Sequence, residues 1–266
     1  MGRAATATRR PLAKMTETRR KRAPQEDPQE VSLHRLTHMM WALLFFSLAL
    51  FSKFPGLDLL ISARYFDPEQ GFFHRNNPVV QGLYDWTPWV GRALVIALAL
   101  YALLAPLLAR YFERQGEHSL AQRARGSWRH LATVAVVCGL LGPGLLIEGL
   151  FKNHMGRPRP VQVVEFGGTD TYHGPFVPGA TPERNRSFVS SHAAAGFWLM
   201  SLGLTCGPLW RRRWLLIGLV VGGAIGLGRI LQGGHFFSDV LFAFFTVWLS
   251  CEIVAWLDKH RRSRQI

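Results

Sequence analysis

The chain of 266 residues is 48% hydrophobic and only 18% charged, and it carries nine Trp, eighteen Phe and a formal charge of +14. Charge confined to short blocks between long apolar runs excludes an ordinary soluble domain, which spreads charge over its whole surface, and points to a polytopic membrane protein. The same confinement argues against nucleic acid as the partner of the net positive charge.

Residues 1–33 are expected to be a basic, solvated tail. The stretch T-R-R-P-L-A-K at 8–14 loosely resembles a twin-arginine export signal. Its apolar segment starts some 25 residues later, with no small-residue cleavage site. A membrane domain is expected over 34–258, followed by a second basic tail over 259–266. Six spans near the ~20 residues that cross a bilayer are expected at about 37–55, 91–111, 131–151, 191–209, 214–231 and 239–257. The fold class is therefore all-α, a polytopic helical bundle. Cys138, Cys206 and Cys251 all lie in apolar runs with no C-x-x-C spacing, and are expected as small core residues rather than a disulfide or metal site.

Orientation follows from Lys and Arg. The N-terminal tail, the loop after the second span (Arg110 to Arg129), Arg211–Arg213 and the C-terminal tail together hold 21 of the 31 basic residues. Six spans bring these four blocks to one face, which the positive-inside rule makes cytoplasmic, with anionic lipid head groups as neighbours. Both termini are expected there.

F-K-N-H-M-G-R-P-R-P at 151–160 then falls on the opposite face, against that rule. It is either a tolerated charge cluster, with Lys152 paired to Glu148 one turn earlier, or an anion site, as ionisable residues at membrane depth usually are functional. Two further stretches reach the same face. S-F-V-S-S-H, 187–192, places Ser190, Ser191 and His192 at a helix start, where free N–H groups favour an anion; ordinary Ser capping beside an interfacial His is the plainer reading. G-R-I-L-Q-G-G-H-F-F-S-D, 228–239, offers Arg229 and a His235/Asp239 pair at a spacing where a carboxylate can fix the imidazole tautomer. Two histidines, a carboxylate and fixed cations are what metal-free phosphoryl transfer requires.

These stretches resemble the three signatures of the type 2 phosphatidic acid phosphatase superfamily, K-x6-R-P, P-S-G-H and S-R-x5-H-x3-D. Lys152 with Arg159-Pro160 fits the first, Val189-Ser190-Ser191-His192 matches the second in two of four places, and Gly228-Arg229…His235…Asp239 fits the third except for its leading Ser. The resemblance implies His235 as nucleophile, Asp239 as its orienting group and His192 as general acid. It implies Lys152, Arg159, Ser190, Ser191 and Arg229 as phosphate ligands, with no metal or cofactor. His154, Arg157 and His173 fall outside the signatures, and Arg157 is expected to tolerate Lys. The aromatic loop 57–90 is expected to lie on the membrane as short amphipathic helices capping the site, which suits a membrane lipid phosphate. The loop 161–190 resembles the bacterial lipid A phosphatase branch, whose setting is the inner membrane, without the Cys pair some members carry. Undecaprenyl pyrophosphate, phosphatidylglycerol phosphate and phosphatidic acid stay open as substrates. A phosphotransferase on the same scaffold and an anion transporter are the rival functions.

Overall fold

The computed structural model describes residue 2 and residues 28–181 and 183–264. The expected basic tail over 1–33 lies outside these up to residue 27, apart from residue 2. From Pro28 the chain is already helical. Helix α1 runs Pro28–Lys53 and α2 Leu57–Ala63, followed by a two-stranded hairpin of β1 Phe66–Asp67 and β2 Gly71–Phe72. Helix α3 covers Pro78–Arg114 and α4 His118–His154. Helix α5, Ser191–Phe197, continues as a 3-10 stretch, Trp198–Gly203, and the chain ends with α6 Pro208–Leu231 and α7 Phe237–Ser263. The protein is an all-α polytopic bundle.

Among the described residues, five segments are long and apolar enough to cross a membrane: Leu33–Lys53, Pro78–Arg114, His118–His154, Pro208–Leu231 and Phe237–Ser263. The span expected at 191–209 is the exception. Seven α-helical residues and six 3-10 residues reach only about 22 Å at ~1.5 and ~2 Å per residue. That falls short of a hydrocarbon core near 30 Å. The shortfall is tolerable because α5 lies inside the bundle, with Ala193, Ala194, Phe197, Trp198 and Met200 all buried. A helix walled in by protein need not match the lipid.

Small residues allow that enclosure. Gly218, Gly222 and Gly226 recur every four residues along α6. A Cβ on Gly196 of α5 would lie 2.6 Å from the Gly222 Cα, and one on Gly226 would lie 2.3 Å from Val240 of α7. Close backbone approach through such residues is how membrane helices gain packing where lipid supplies no hydrophobic drive. Outward-facing Phe45, Leu103 and Val220 remain exposed, as they should beside acyl chains.

Helix α3 begins at Pro78, not near 91. Asn77 caps it by accepting from the Val79 and Val80 N–H groups, with Pro78 in the first turn. Trp86 and Trp89 therefore sit on the helix itself and are exposed. Of the other aromatics in that loop, Phe66 and Phe72 fold inward, packing on Phe166 with ring centroids 5.1 and 5.5 Å apart, while Phe73 stays exposed. In α4, two π-helical stretches, Ala124–Trp128 and Leu140–Phe151, interrupt the α geometry, the second around Pro143. At the end of the bundle where α7 finishes, an ion pair joins Arg211 to Glu252 (2.9 Å), and His130 Nε2 lies 3.1 Å from Asp258 Oδ2.

Candidate active site

Helix α7 starts where its carboxylate is wanted. Asp239 is fully buried and stands three residues after Phe236, whose backbone N–H donates to Oδ2 at 2.9 Å, an N-terminal capping bond. The same oxygen accepts from Ser187 Oγ at 2.6 Å and faces His235 Nδ1 at 3.5 Å. The imidazole contact is long, as catalytic hydrogen bonds often are before substrate binds. It nevertheless turns Nδ1 toward the carboxylate and leaves Nε2 for chemistry. Burial pushes His235 down to about 3, against the pull of Asp239, so the ring is neutral near pH 7.

Asp239 Oδ1 is held by Arg157 Nη1 at 2.5 Å. Although it falls outside the signatures, Arg157 is no solvated loop residue, since its side chain is completely buried. It donates from Nε to the His173 carbonyl (3.0 Å), from Nη1 also to Ser238 Oγ (2.8 Å), and from Nη2 to Asp58 Oδ2 (2.8 Å) and Tyr172 Oη (3.3 Å). The guanidinium lies 4.4 Å from the Phe236 ring centroid. Gly156, at φ +57, makes the turn into this segment, and a Cβ there would come within 2.8 Å of the Gly179 carbonyl. The two carboxylates hold the Arg157 charge firmly on, above its ordinary range.

The phosphate ligands expected from the sequence converge from four elements. Lys152, at the end of α4, is nearly buried and pairs with Glu148 at 3.5 Å. Arg229 closes α6, stacks 4.3 Å over Tyr84 and donates through Nη1 to Gln232 Oε1, while its Nε has no partner among the described residues. Arg159 extends from a chain fixed by its own N–H, which donates to Gln162 Oε1 at 2.8 Å. Lys152, Arg159 and Arg229 are all near enough to act electrostatically on His192, and Lys152 and Arg229 on His235. His192 stacks on Tyr84 at 4.9 Å, and its buried Nδ1 is unpartnered among the described residues.

Ser190 is the buried N-cap of α5, accepting from the Ala193 N–H at 3.4 Å, and its own N–H donates to the Asp239 carbonyl at 3.1 Å. Ser191 stands where the signature has Gly. Its hydroxyl donates to Glu148 Oε1 at 2.5 Å, the oxygen that also faces Lys152. Gly228, in place of the signature Ser, faces Val80 and Leu83 of α3 at ordinary contact distance for an added Cβ. Of the residues outside the signatures, His154 is exposed and its Nδ1 meets the Leu150 carbonyl, and His173 contributes only its carbonyl to Arg157. Beside the cluster opens a cavity of about 510 Å³, with Glu148, Lys152, Ser191 and His192 at its polar end and Val95, Ile96 and Trp198 along its apolar wall.

Asp58, Tyr84 and Ser187 are site residues that no spacing in the sequence marks. Tyr84 alone gave a signal, as one of the aromatics crowded into 57–90.

A model of the PAP2 superfamily matches residues 128–263, which contain every signature residue. The chain belongs to the PAP2 superfamily. Among its relatives is a protein named lipid A 4'-phosphatase from Francisella tularensis subsp. novicida (strain U112), 31% identical over 211 residues, or 79% of this chain and 90% of that one. Another of the same name from Rhizobium etli is 31% identical over 80% of each chain. A third, from Rhizobium leguminosarum, is 28% identical over 81% of this chain and 90% of its own. No solved structure matches significantly. Like the relatives just named, this PAP2 protein is a phosphatase, and its apolar helices with its bacterial relatives mark it as a bacterial membrane protein.

Proposed function

We propose that this PAP2 phosphatase hydrolyses a phosphomonoester of a membrane lipid, lipid A in particular, through a phosphohistidine on His235 and without a metal. The observation that carries the reading is the buried His235 held by Asp239 beside a cluster of three cations. Nε2 of His235 attacks phosphorus while Nδ1–H is held by Asp239, which offsets the positive charge of the phosphoimidazole as it forms. The P–O bond to the lipid breaks, and His192 delivers a proton to the departing alkoxide. His192, now deprotonated, takes a proton from water as that oxygen attacks phosphorus, and phosphate leaves with His235 restored. Lys152, Arg159 and Arg229 balance the charge on the phosphoryl oxygens.

The donor set supports the metal-free reading. Asp239 has both oxygens committed to protein donors, and among the described residues no group of three or more His, Cys, Asp or Glu gathers. A lipid suits the adjoining cavity, polar at His192 and apolar toward Ile96 and Trp198. The names of the relatives favour lipid A. The distribution of Lys and Arg supports an active site on the periplasmic face of the inner membrane, with both termini cytoplasmic.

Phosphate release from purified protein in detergent, over lipid A and a panel of other lipid phosphates, tests the reading. Turnover is expected to be greatest with lipid A, insensitive to EDTA and blocked by vanadate. An acid-labile phosphoenzyme should form, and should vanish in His235→Ala. Loss of turnover on chelation, regained with magnesium, would overturn the mechanism; anion flux in liposomes without phosphate release would favour a transporter.

A further inference from the structure

We propose that Asp58 is a positioning residue for His235, acting through Arg157 and Asp239, so that the short helix α2 is a working part of the catalytic apparatus. Asp58 lies far outside the 128–263 segment matched by the family model. It is nevertheless fully buried against the start of α7. Its Oδ1 accepts from the Ser238 N–H at 2.9 Å, and its Oδ2 accepts from Ser238 Oγ at 2.5 Å and from Arg157 Nη2 at 2.8 Å.

The Arg157 bonds described above engage all five of its N–H groups, to the His173 carbonyl, Ser238, Asp239, Asp58 and Tyr172. None is left for phosphate, so its influence on the reaction passes through what it holds. It bridges two carboxylates, one on α2 and one on α7, and Ser238 at the start of α7 also binds Asp58. Tyr172 closes the frame by donating to the Pro55 carbonyl at 2.6 Å, three residues before Asp58. The consequence is geometric. Asp239 can swing only if Arg157 moves, and Arg157 can move only by breaking with Asp58. Because His235 Nδ1 leans on the other oxygen of Asp239 at 3.5 Å, Asp58 sets where the imidazole points. A buried ionic network is held rigid only while every member is satisfied.

The proposal rests on His235 being the nucleophile, and the test separates the two claims. Purified full-length protein would be assayed as wild type, Asp58→Asn and Ser238→Ala, with thermal midpoint, kcat, KM and the inhibition constant of inorganic phosphate measured for each. Asn keeps the size of Asp58 but presents an N–H₂ to one of its donors. Asp58→Asn should lower kcat at least about tenfold, while KM and the phosphate constant stay within about twofold, because Lys152, Arg159 and Arg229 are untouched. Ser238→Ala keeps the Asp58–Arg157 pair and should lose less, in the same pattern, so it decides the matter if Asp58→Asn fails to fold. Wild-type kcat in a folded Asp58→Asn overturns the proposal. So does a loss of phosphate affinity as large as the loss of kcat, which would mark general loosening. A wild-type protein that releases phosphate but forms no phosphoenzyme at His235 defeats the nucleophile assignment instead.

Discussion

Two arginines stand two residues apart in G-R-P-R-P, each followed by proline, and their environments separate their roles. Arg157 is completely buried between two carboxylates, whereas Arg159 is half-buried beside Lys152 and Arg229. Lys offers three donors on a flexible stem and cannot bridge as a planar fork does. Arg157→Lys should therefore leave a buried carboxylate short of partners, at a stability loss on the order of 3 kcal/mol, visible as a lowered thermal midpoint. Arg159→Lys should leave the midpoint near that of wild type and lower turnover at least about tenfold, near 1.4 kcal/mol of barrier. Thermal melts and kinetics on the two variants check this, and equal midpoints would show that the Arg157 frame contributes little to the fold. The departures at Ser191 and Gly228 also find local explanations. The Ser191 hydroxyl belongs to Glu148, and Gly228 borders α3.

At the scale of elements, the apolar runs and the three spaced motifs were legible because each signal is carried by neighbours in sequence. The start of α3 was not. Charged and turn residues such as Asp85 and Pro88 lower the hydropathy before 91, yet Asn77-Pro78 caps the helix well upstream. The partnership of Asp58 with Arg157 was equally hidden, since the two are 99 residues apart and neither belongs to a recognised spacing. The enclosure of α5 also depends on tertiary contacts that periodicity cannot show, and the contacts make it testable. A Cβ on Gly222 would lie 2.2 Å from the ring of Phe197, which is 2% exposed and has nowhere to go. Gly222→Val should destabilise the protein by about 1–3 kcal/mol through overpacking. The adjacent Gly223 has nothing within 4 Å of an added Cβ. Gly223→Ala should be neutral or gain up to ~1 kcal/mol by removing backbone entropy from the unfolded chain. Melting both in the same detergent checks the pair, and equal destabilisation would show that the α5–α6 contact is looser than drawn.

For the whole molecule, one asymmetry relates sequence to function. The blocks that hold 21 of the 31 lysines and arginines include the end of the bundle with Arg211–Glu252 and Arg262–Asp258, while Lys152, Arg159 and Arg229 sit at the other, near enough to act on His192. On the proposed reading, the first set supplies the orientation signal, and the second departs from it because a ligand needs the charge. If the orientation is as proposed, a cysteine introduced at exposed Val177, in the loop beside the site, will react with a membrane-impermeant maleimide in intact spheroplasts. One at exposed Lys259, on the last turns of α7, will react only after the membrane is opened. The background should be low even with native thiols present, because Cys138 and Cys251 are buried and Cys206 half-buried, and replacing all three removes it. The opposite labelling pattern would place the active site in the cytoplasm. It would then confine the enzyme to lipid phosphates of the inner leaflet and exclude lipid A once it has crossed to the periplasmic side.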